Sequence, residues 1–336
     1  MGFEGIVGQD TLLTALNRAL ERGEVGHAYL FSGPEGSGKK TIAYKFAQAL
    51  NCSSSEVGPC DSCLSCRKIQ KGSHPDIYTL APEGTWLKIG QLKDIKENLF
   101  LLPVEGGKKV CVIHGADYLT LSAANSILKI LEDPPQDVVF LLLSSRPWAL
   151  LSTIVSRCIH LPLKPLSVED MNELLSSRFN LSGEEKELTA ALANGNPGKG
   201  IEIASLSEQW FQKYKQVLQL VADIELGTFE DIFIKAEELA GSKDIDDLLE
   251  LMLLIYRDRL VLNYGGGEKN VIIKSMIELI SSETESLDCY SLLRAEPIFL
   301  EKIGLLLMNV RQQHLLNNVN LRLALEEVFL KMRGVV

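Results

Sequence analysis

Residues 33–41, Gly33-Pro34-Glu35-Gly36-Ser37-Gly38-Lys39-Lys40-Thr41, decide the fold of this chain. They nearly match the phosphate-binding pattern G-x-x-x-x-G-K-[ST], in which backbone N–H groups surround phosphate oxygens and the lysine binds the β- and γ-phosphates. Lys40 stands where the pattern requires the hydroxyl that ligates Mg²⁺. We therefore predict a degenerate phosphate-binding loop, whose candidate nucleotide-binding residues are Gly33, Gly36, Gly38 and Lys39.

The sequence on either side of the loop favours this prediction. Residues 28–31 form a short apolar run typical of a buried strand, and residues 41–50 have the pattern of a helix. A strand before the loop and a helix after it are the context that such a loop requires. The alternative is a glycine-rich turn unrelated to nucleotides.

The composition is that of a globular protein with more than one domain. The chain has 336 residues, of which 46% are hydrophobic, so it can form two or three domains with sizeable cores. We expect a cytoplasmic location, because no apolar run approaches the roughly 18–20 residues that span a bilayer and residues 1–10 do not resemble a signal peptide. The formal net charge of −10 argues against strong binding of nucleic acid by this chain alone.

Four of the seven cysteines have the spacing C-x₇-C-x₂-C-x₂-C. Disulfides are rare in a reducing compartment, so this spacing favours a metal site. Four thiolates fill all positions of a tetrahedral Zn²⁺ ion, which is the arrangement of a structural site. We predict zinc bound by Cys52, Cys60, Cys63 and Cys66, with reduced free thiols as the alternative. His74 is predicted to be a loop residue and not a competing ligand.

The strand predicted at residues 110–113 lacks the acidic pair of a working P-loop ATPase. In such an enzyme an Asp binds the metal and a Glu polarises the attacking water. Here the positions hold His114 and Gly115, and neither supplies that chemistry. Asp117, further along the chain, is predicted to be a helix-capping or loop carboxylate. We expect this chain not to use ATP and Mg²⁺ for hydrolysis.

Strands alternate with helices over about the first 160 residues, a pattern that indicates a parallel, doubly wound α/β domain. One amphipathic helix is predicted at residues 86–102 and another ends at Pro134-Pro135. From residue 162 onward the chain is predicted to be mostly helical, with helix starts at Ser167 and Ser182. Later helical segments, interrupted near residues 265–267, are predicted at 210–224, 229–239, 244–262, 271–282, 292–312 and 320–332.

Several motifs, taken in order, resemble bacterial clamp-loader subunits of the AAA+ class, which serve DNA polymerase III. They are Val7-Gly8-Gln9, the degenerate loop, the four-cysteine insert, residues 116–120, residues 128–135 and Ser156-Arg157-Cys158. The resemblance covers the N-terminal 200 residues well, whereas the C-terminal third matches loosely through residues 318–330. It implies an AAA+ P-loop α/β domain at 1–165 with a zinc insert at 52–66, a small helical lid at 166–206 and an all-α C-terminal collar domain at 207–336.

Four positions depart from the active tau/gamma ATPase subunits of this family. Those subunits have Thr or Ser at the position of Lys40, Asp and Glu at the positions of His114 and Gly115, and an Arg in the lid at the position of Gly198. Lys199, one residue later, is the alternative sensor if the register slips. Four losses on a retained scaffold favour a pseudo-ATPase.

The resemblance implies a non-hydrolysing subunit of a DNA-directed DNA polymerase (nucleotidyltransferase) holoenzyme. Its partners would be tau/gamma and delta subunits and, through the assembly, the sliding clamp and primer-template DNA. Arg157 of the Ser-Arg-Cys motif would be a catalytic arginine finger acting on a neighbour's ATP, whereas pairing with a carboxylate is the structural alternative. The rival functions are an active AAA+ clamp-loader ATPase and a zinc-dependent nucleic-acid-binding protein.

Overall fold

The computed structural model describes residues 3–54, 57–105, 107–264, 297–315 and 320–334. The predicted helix at 271–282, the glycine run at 265–267 and the start of the 292–312 segment lie outside these ranges. The chain divides into two compact units, of which the first comprises Met1–Leu174 with Gly195–Gly198 and the second comprises Leu175–Asn194 with Lys199–Val336. The predicted boundaries of three domains, after residues 165 and 206, stay predictions.

The first unit contains a five-stranded parallel sheet with the strand order β2-β3-β4-β1-β5. The strands are β1 (Ala28–Ser32), β2 (Ile77–Leu80), β3 (Lys109–Ile113), β4 (Val138–Ser144) and β5 (Ile159–Pro162). The helices are α1 (Asp10–Arg22), α2 (Lys39–Asn51), α3 (Leu64–Gln70), α4 (Ile89–Leu99), α5 (Leu121–Glu132) and α6 (Ser152–Val155).

Both faces of this sheet are covered by helices. Successive side chains of a strand point to opposite faces, and β4 shows the consequence. Phe140 and Leu142 belong to a buried cluster with residues of α4, α5 and α6, whereas Val139 and Leu141 belong to a second cluster with residues of α1 and α2. Strands buried on both sides require continuous apolar runs, as the sequence has here. The predicted doubly wound α/β domain is confirmed.

Helix α4 is shorter than the apolar pattern predicts, since it spans Ile89–Leu99 where residues 86–102 were expected. At its start, Trp86 forms a bridge with Glu83, and the Leu87 N–H donates to the Tyr118 carbonyl at 2.8 Å. At its end, Pro103 disfavours helical geometry at the residue before it. The apolar side chains of residues 100–102 therefore lie outside the helix and are exposed.

The second unit is built from helices around one core. After α7 (Val168–Arg178), which begins in the first unit, come α8 (Gly183–Ala193), α9 (Pro197–Ser205), α10 (Ser207–Leu226), α11 (Phe229–Ala240), α12 (Ile245–Asn263), α13 (Pro297–Leu315) and α14 (Leu321–Met332). Their inward faces form one buried cluster that includes Tyr214, Ile255 and Phe329. The predicted all-α C-terminal part is confirmed for the described residues. Over those same ranges, no helix combines the length and the apolar character needed to cross a membrane.

Capping explains where α8 begins. The Ser182 Oγ accepts the Glu185 N–H at 3.2 Å, and a Glu185 carboxylate oxygen accepts the Ser182 N–H at 2.9 Å. This reciprocal pair satisfies two backbone donors that a helix start otherwise leaves unpaired. The helix start predicted at Ser182 is confirmed. At α7, likewise, Ser167 and Asp170 exchange side-chain and backbone hydrogen bonds.

Candidate functional site

The loop between β1 and α2 has the backbone of a phosphate-binding loop. Gly36 and Gly38 have φ angles of 78° and 93°, in the left-handed region that favours glycine, and Gly38 is the residue before the first turn of α2. The Gly33 N–H donates to the Ser144 carbonyl at 3.2 Å and thereby ties the loop to the end of β4. Strand, loop and helix thus follow one another as the sequence predicts.

Lys39 is bonded to its own loop. Its Nζ donates to the carbonyl oxygens of Gly33 and Pro34, each at 2.7 Å, and lies 3.3 Å from the Ser145 Oγ. Burial lowers the pKa of Lys39, and the nearby carboxylates of Asp117 and Glu35 act in the opposite direction. The ammonium group that would bind nucleotide phosphates is therefore directed at backbone carbonyls.

A turn from far along the chain covers the loop. The Asn196 Nδ2 donates to the Glu35 carbonyl at 2.6 Å, and the Gly198 N–H donates to the Gly36 carbonyl at 2.9 Å. A Cβ atom placed on Gly198 would lie 2.8 Å from the Gly36 Cα, too close for a side chain. Position 198, where the active subunits carry the lid arginine, is thus a backbone contact with the loop. Sequence reasoning missed this contact, because the two segments are remote in sequence.

His114 and Gly115 follow β3 directly, in the place of the acidic pair that a working ATPase requires. The His114 Nε2 lies 3.3 Å from the Tyr44 hydroxyl, and the two rings stack. Burial lowers the pKa of His114, and Lys40 lowers it further, so the imidazole is neutral at pH 7. A neutral imidazole with this partner is a poor substitute for the missing metal-binding Asp.

Asp117 is a buried loop carboxylate. It accepts the Ser145 N–H at 3.2 Å and the Arg146 Nε–H at 3.1 Å, which joins the segment after β3 to the segment after β4. Arg146 also lies over the Tyr118 ring. The sequence interpretation of Asp117 as a loop carboxylate agrees with these contacts, whereas nothing in the sequence pointed to Arg146.

Arg157 lies between α6 and β5, and Cys158 separates it from the first residue of the strand. Its guanidinium pairs with the Glu132 carboxylate at 2.9 Å and donates to the Thr153 carbonyl at 3.0 Å. Both paired side chains are partly exposed. The carboxylate partner of the structural alternative is therefore present in this chain, and the role of Arg157 in a neighbour's site stays a prediction.

The four clustered cysteines come together as a metal site requires. Their Sγ atoms all lie within 4.8 Å of one another, and those of Cys52 and Cys63 are 4.0 Å apart. A tetrahedral ion with metal–sulfur bonds of about 2.3 Å implies sulfur–sulfur distances of roughly 3.8 Å. All four are free thiols. The cluster therefore fits a metal ion with little movement, and His74 lies outside it.

The surroundings of the Cys63 thiol favour its deprotonated form, which is the form that binds a metal ion. Burial acts to raise the pKa of Cys63, but hydrogen bonds from the Cys66 N–H and from Ser53 outweigh it and lower this pKa to about 5. Burial raises the pKa of Cys66. Metal binding requires deprotonated thiols, so Cys63 is ready to bind as a thiolate and Cys66 would release its proton when an ion arrives.

This chain is similar to known subunits of DNA polymerase III. A family model described as "DNA polymerase III, delta subunit" matches residues 8–167. The chain is 31% identical over 265 residues to DNA polymerase III subunit delta′ of Bacillus subtilis (strain 168), and the match covers 78% of this chain and 80% of that protein. This chain belongs to the DNA polymerase III delta′ subunit family. The resemblance to AAA+ clamp-loader subunits is thereby confirmed.

Another relative matches part of this chain, and a solved structure aligns with nearly all of it. DNA polymerase III subunit tau of Escherichia coli (strain K12) is 35% identical over 233 residues, which are 68% of this chain and only 36% of that protein. Among solved structures, a DNA polymerase III gamma subunit-related protein from Thermotoga maritima aligns with a TM-score of 0.45 and 19% identity, covering 96% of this chain and 99% of its own.

The contact between the loop and the 195–198 turn yields a prediction about stability. Gly198→Ala should lower the free energy of unfolding by about 1–3 kcal/mol, because its Cβ would meet the backbone of Gly36 and one of the two segments must move. Gly183→Ala is the matched control, since nothing lies within 4 Å of a Cβ there and alanine favours the helix. Urea unfolding measures both, and equal stability of the two variants would contradict the contact.

Proposed function

We propose that this chain is a non-hydrolysing subunit of a DNA polymerase III clamp loader. The observation that carries the proposal is that the loop is bonded to other groups of the protein. Lys39 donates to loop carbonyls, and the 195–198 turn donates to the carbonyls of Glu35 and Gly36. A nucleotide phosphate would compete with the carbonyl groups of Gly33 and Pro34 for the Lys39 ammonium group. In a member of the delta′ family, this arrangement suits a scaffold subunit rather than a motor.

The proposed partners follow from the family. The tau/gamma and delta subunits would form the arc in which this chain takes its place, and the assembly would load the sliding clamp onto primed DNA. The relatives are named as subunits of DNA polymerase III, which supports this assignment. With a net charge of −10, the chain would share any DNA contact with more basic partners. Because this work is done on bacterial DNA, we propose a cytoplasmic location.

The three predicted domains are part of the proposal. The α/β domain at 1–165 would retain the shape of an ATPase without its activity. The lid at 166–206 would supply the turn that covers the loop, and the helices from residue 207 onward would form the collar. The buried core that supports this collar includes Leu188, Leu192 and Ile203 of the proposed lid, so the lid and collar helices of the described residues pack in one cluster.

The rival reading, an active AAA+ ATPase, leads to a direct test. We expect no ATP hydrolysis by the purified chain, because Lys40, His114 and Gly115 replace the three groups that would bind Mg²⁺ and activate water. Lys40→Thr alone should remain inactive, since the metal would still lack a carboxylate. A phosphate-release assay with and without Mg²⁺ measures this. Metal-dependent turnover that disappears in Lys39→Ala would make the chain an ATPase.

For the four-cysteine cluster we propose a structural Zn²⁺ ion, which would close the insert and carry out no chemistry. We expect one zinc per chain by elemental analysis, and Cys63→Ser should lose most of it while the sheet stays folded. Cys158→Ser is the matched control, because Cys158 lies outside the cluster and should leave the zinc content unchanged. Metal-free protein with four titratable thiols in residues 52–66 would refute the zinc site.

The second rival, a zinc-dependent nucleic-acid-binding protein, is separated by DNA binding of the isolated chain measured across salt concentrations. Tight binding by this chain alone, with a steep loss of affinity as salt rises, would favour that rival. The proposed scaffold subunit should bind DNA weakly until its partners are present.

For Arg157 we propose the role of an arginine finger in trans. A fixed guanidinium offsets charge that develops on the transferred phosphoryl group, an effect worth roughly 10³–10⁵ in rate for well-studied GTPases. In the reconstituted assembly, Arg157→Ala and Arg157→Lys should both lower the DNA- and clamp-stimulated ATPase rate of the neighbouring subunit, because lysine keeps the charge but lacks the planar fork.

Glu132→Gln is the control that separates the two roles of Arg157. It breaks the ion pair seen in this chain but leaves the guanidinium in place. If Arg157 acts on a neighbour's ATP, Glu132→Gln should retain the assembly's ATPase rate while Arg157→Ala loses it. If both variants behave alike, or if Arg157→Ala assembles and keeps the full rate, the structural role is the correct one.

A further inference from the structure

An exposed run of apolar side chains follows α4. Residues 100–104, which we call the apolar segment, include Phe100, Leu101, Leu102 and Val104, and Leu102 is 83% exposed. They lie beyond the C-terminus of α4 and belong to no described helix or strand. The position of such a segment depends on what binds its backbone, because its side chains make few contacts with the core.

A buried carboxylate binds the end of the segment. The two oxygens of Asp76 accept the N–H groups of Val104 and Glu105, at 2.8 Å and 2.9 Å, and Asp76 is fully buried. Hydrogen bonds to an ionised carboxylate are among the stronger ones in proteins. The conformation of residues 104–105 therefore depends on the placement of Asp76, just before β2.

The same region is bonded to the cysteine insert. The His74 Nδ1 accepts the Asp76 N–H at 3.2 Å, so the neutral ring carries its proton on Nε2, which lies 3.1 Å from the Ser65 Oγ and 3.4 Å from a Glu105 oxygen. Lys68 forms an ion pair with Glu105. We call Ser65, Lys68, His74, Asp76 and Glu105 the polar cluster. It links α3 to the end of the apolar segment.

Helix α3 and its capping residue carry two of the four proposed metal ligands and two residues of the polar cluster. Cys63 caps its N-terminus by accepting the Cys66 N–H, Cys66 is in its first turn, and Ser65 and Lys68 project from the same turns. With only seven residues, α3 is too short to be stable by itself. Helix α3 packs on α2 with Cys66 and Ile69 buried, and the Gln48 amide donates to the Cys66 carbonyl at 3.0 Å. An ion bound by Cys63 and Cys66 would fix the start of this helix.

We infer that metal occupancy of the four-cysteine site controls the order of the apolar segment, through α3 and the polar cluster. The inference rests on the proposed zinc site and adds a consequence outside residues 52–66. Coupling of this kind is reciprocal: if the ion orders the polar cluster, an intact polar cluster must strengthen the binding of the ion.

The first measurement is hydrogen exchange of the full-length chain, followed by mass spectrometry, with zinc bound and after its removal by a chelator. Amides in residues 100–105 should exchange at least about tenfold faster without zinc, as in local opening. Peptides from β4 (Val138–Ser144) should stay protected. Equal exchange of residues 100–105 in the two states would overturn the inference. Loss of protection in β4 as well would also overturn it, because removal of zinc would then unfold the whole unit and not the apolar segment alone.

The second measurement is zinc affinity by competition with a chelator. Glu105→Gln removes the ion pair with Lys68, and Asp76→Asn leaves one of the two amides without its acceptor. Neither residue is a proposed ligand, yet each variant should weaken zinc binding by about tenfold, the lower end of what loss of a supporting contact does in metal sites. Unchanged affinity in both variants would overturn the coupling.

Asp117→Asn is the matched control. Asp117 is also buried and also accepts from two donors, but its partners are Ser145 and Arg146 and it has no contact with the insert. Its variant should bind zinc as the unmodified chain does. A chain that contains no zinc at all would refute the proposed metal site together with this inference, whereas a zinc-bound chain with unchanged exchange would refute the inference alone.

Discussion

The hydrogen bond from the Gly198 N–H to the Gly36 carbonyl is the contact on which the character of the site depends. It brings the two backbones so close that a Cβ atom at position 198 would lie 2.8 Å from the Gly36 Cα. Phosphate binding uses backbone N–H groups that face an open space. The 195–198 turn contacts the loop through the carbonyl groups of Glu35 and Gly36, which accept hydrogen bonds from Asn196 and Gly198. A glycine at position 198 allows this close backbone contact.

The remaining polar groups of the site follow from the need of buried charges and polar groups for partners. Lys39 donates to the carbonyls of Gly33 and Pro34. Asp117 accepts from the Ser145 backbone and from Arg146. His114 takes the hydroxyl of Tyr44 as its partner. Each of these three polar groups thus finds a partner within the protein.

The cysteine insert makes contacts beyond residues 52–66. Its helix α3 is too short to be stable by itself, but its side chains form bonds with residues further along the chain. Ser65 and Lys68 connect α3 to His74 and Glu105, and Asp76 binds the backbone that follows the exposed apolar residues. His74 was interpreted from sequence as an ordinary loop residue, yet it is buried at the centre of these contacts.

The sequence by itself determined the strands β1 and β3, the degenerate loop, the cysteine spacing and the family, because these depend on residues that are neighbours along the chain. Apolar runs predict buried strands, and C-x₂-C spacing predicts convergent thiols, wherever the rest of the chain goes. Only the tertiary structure decided the contact of the 195–198 turn with the loop, the pairing of Arg157 with Glu132 and the burial of His74. Those contacts include segments that are remote along the chain, such as Glu35 and Asn196, which are 161 residues apart. No local pattern encodes them, because packing of the whole unit sets which distant groups meet.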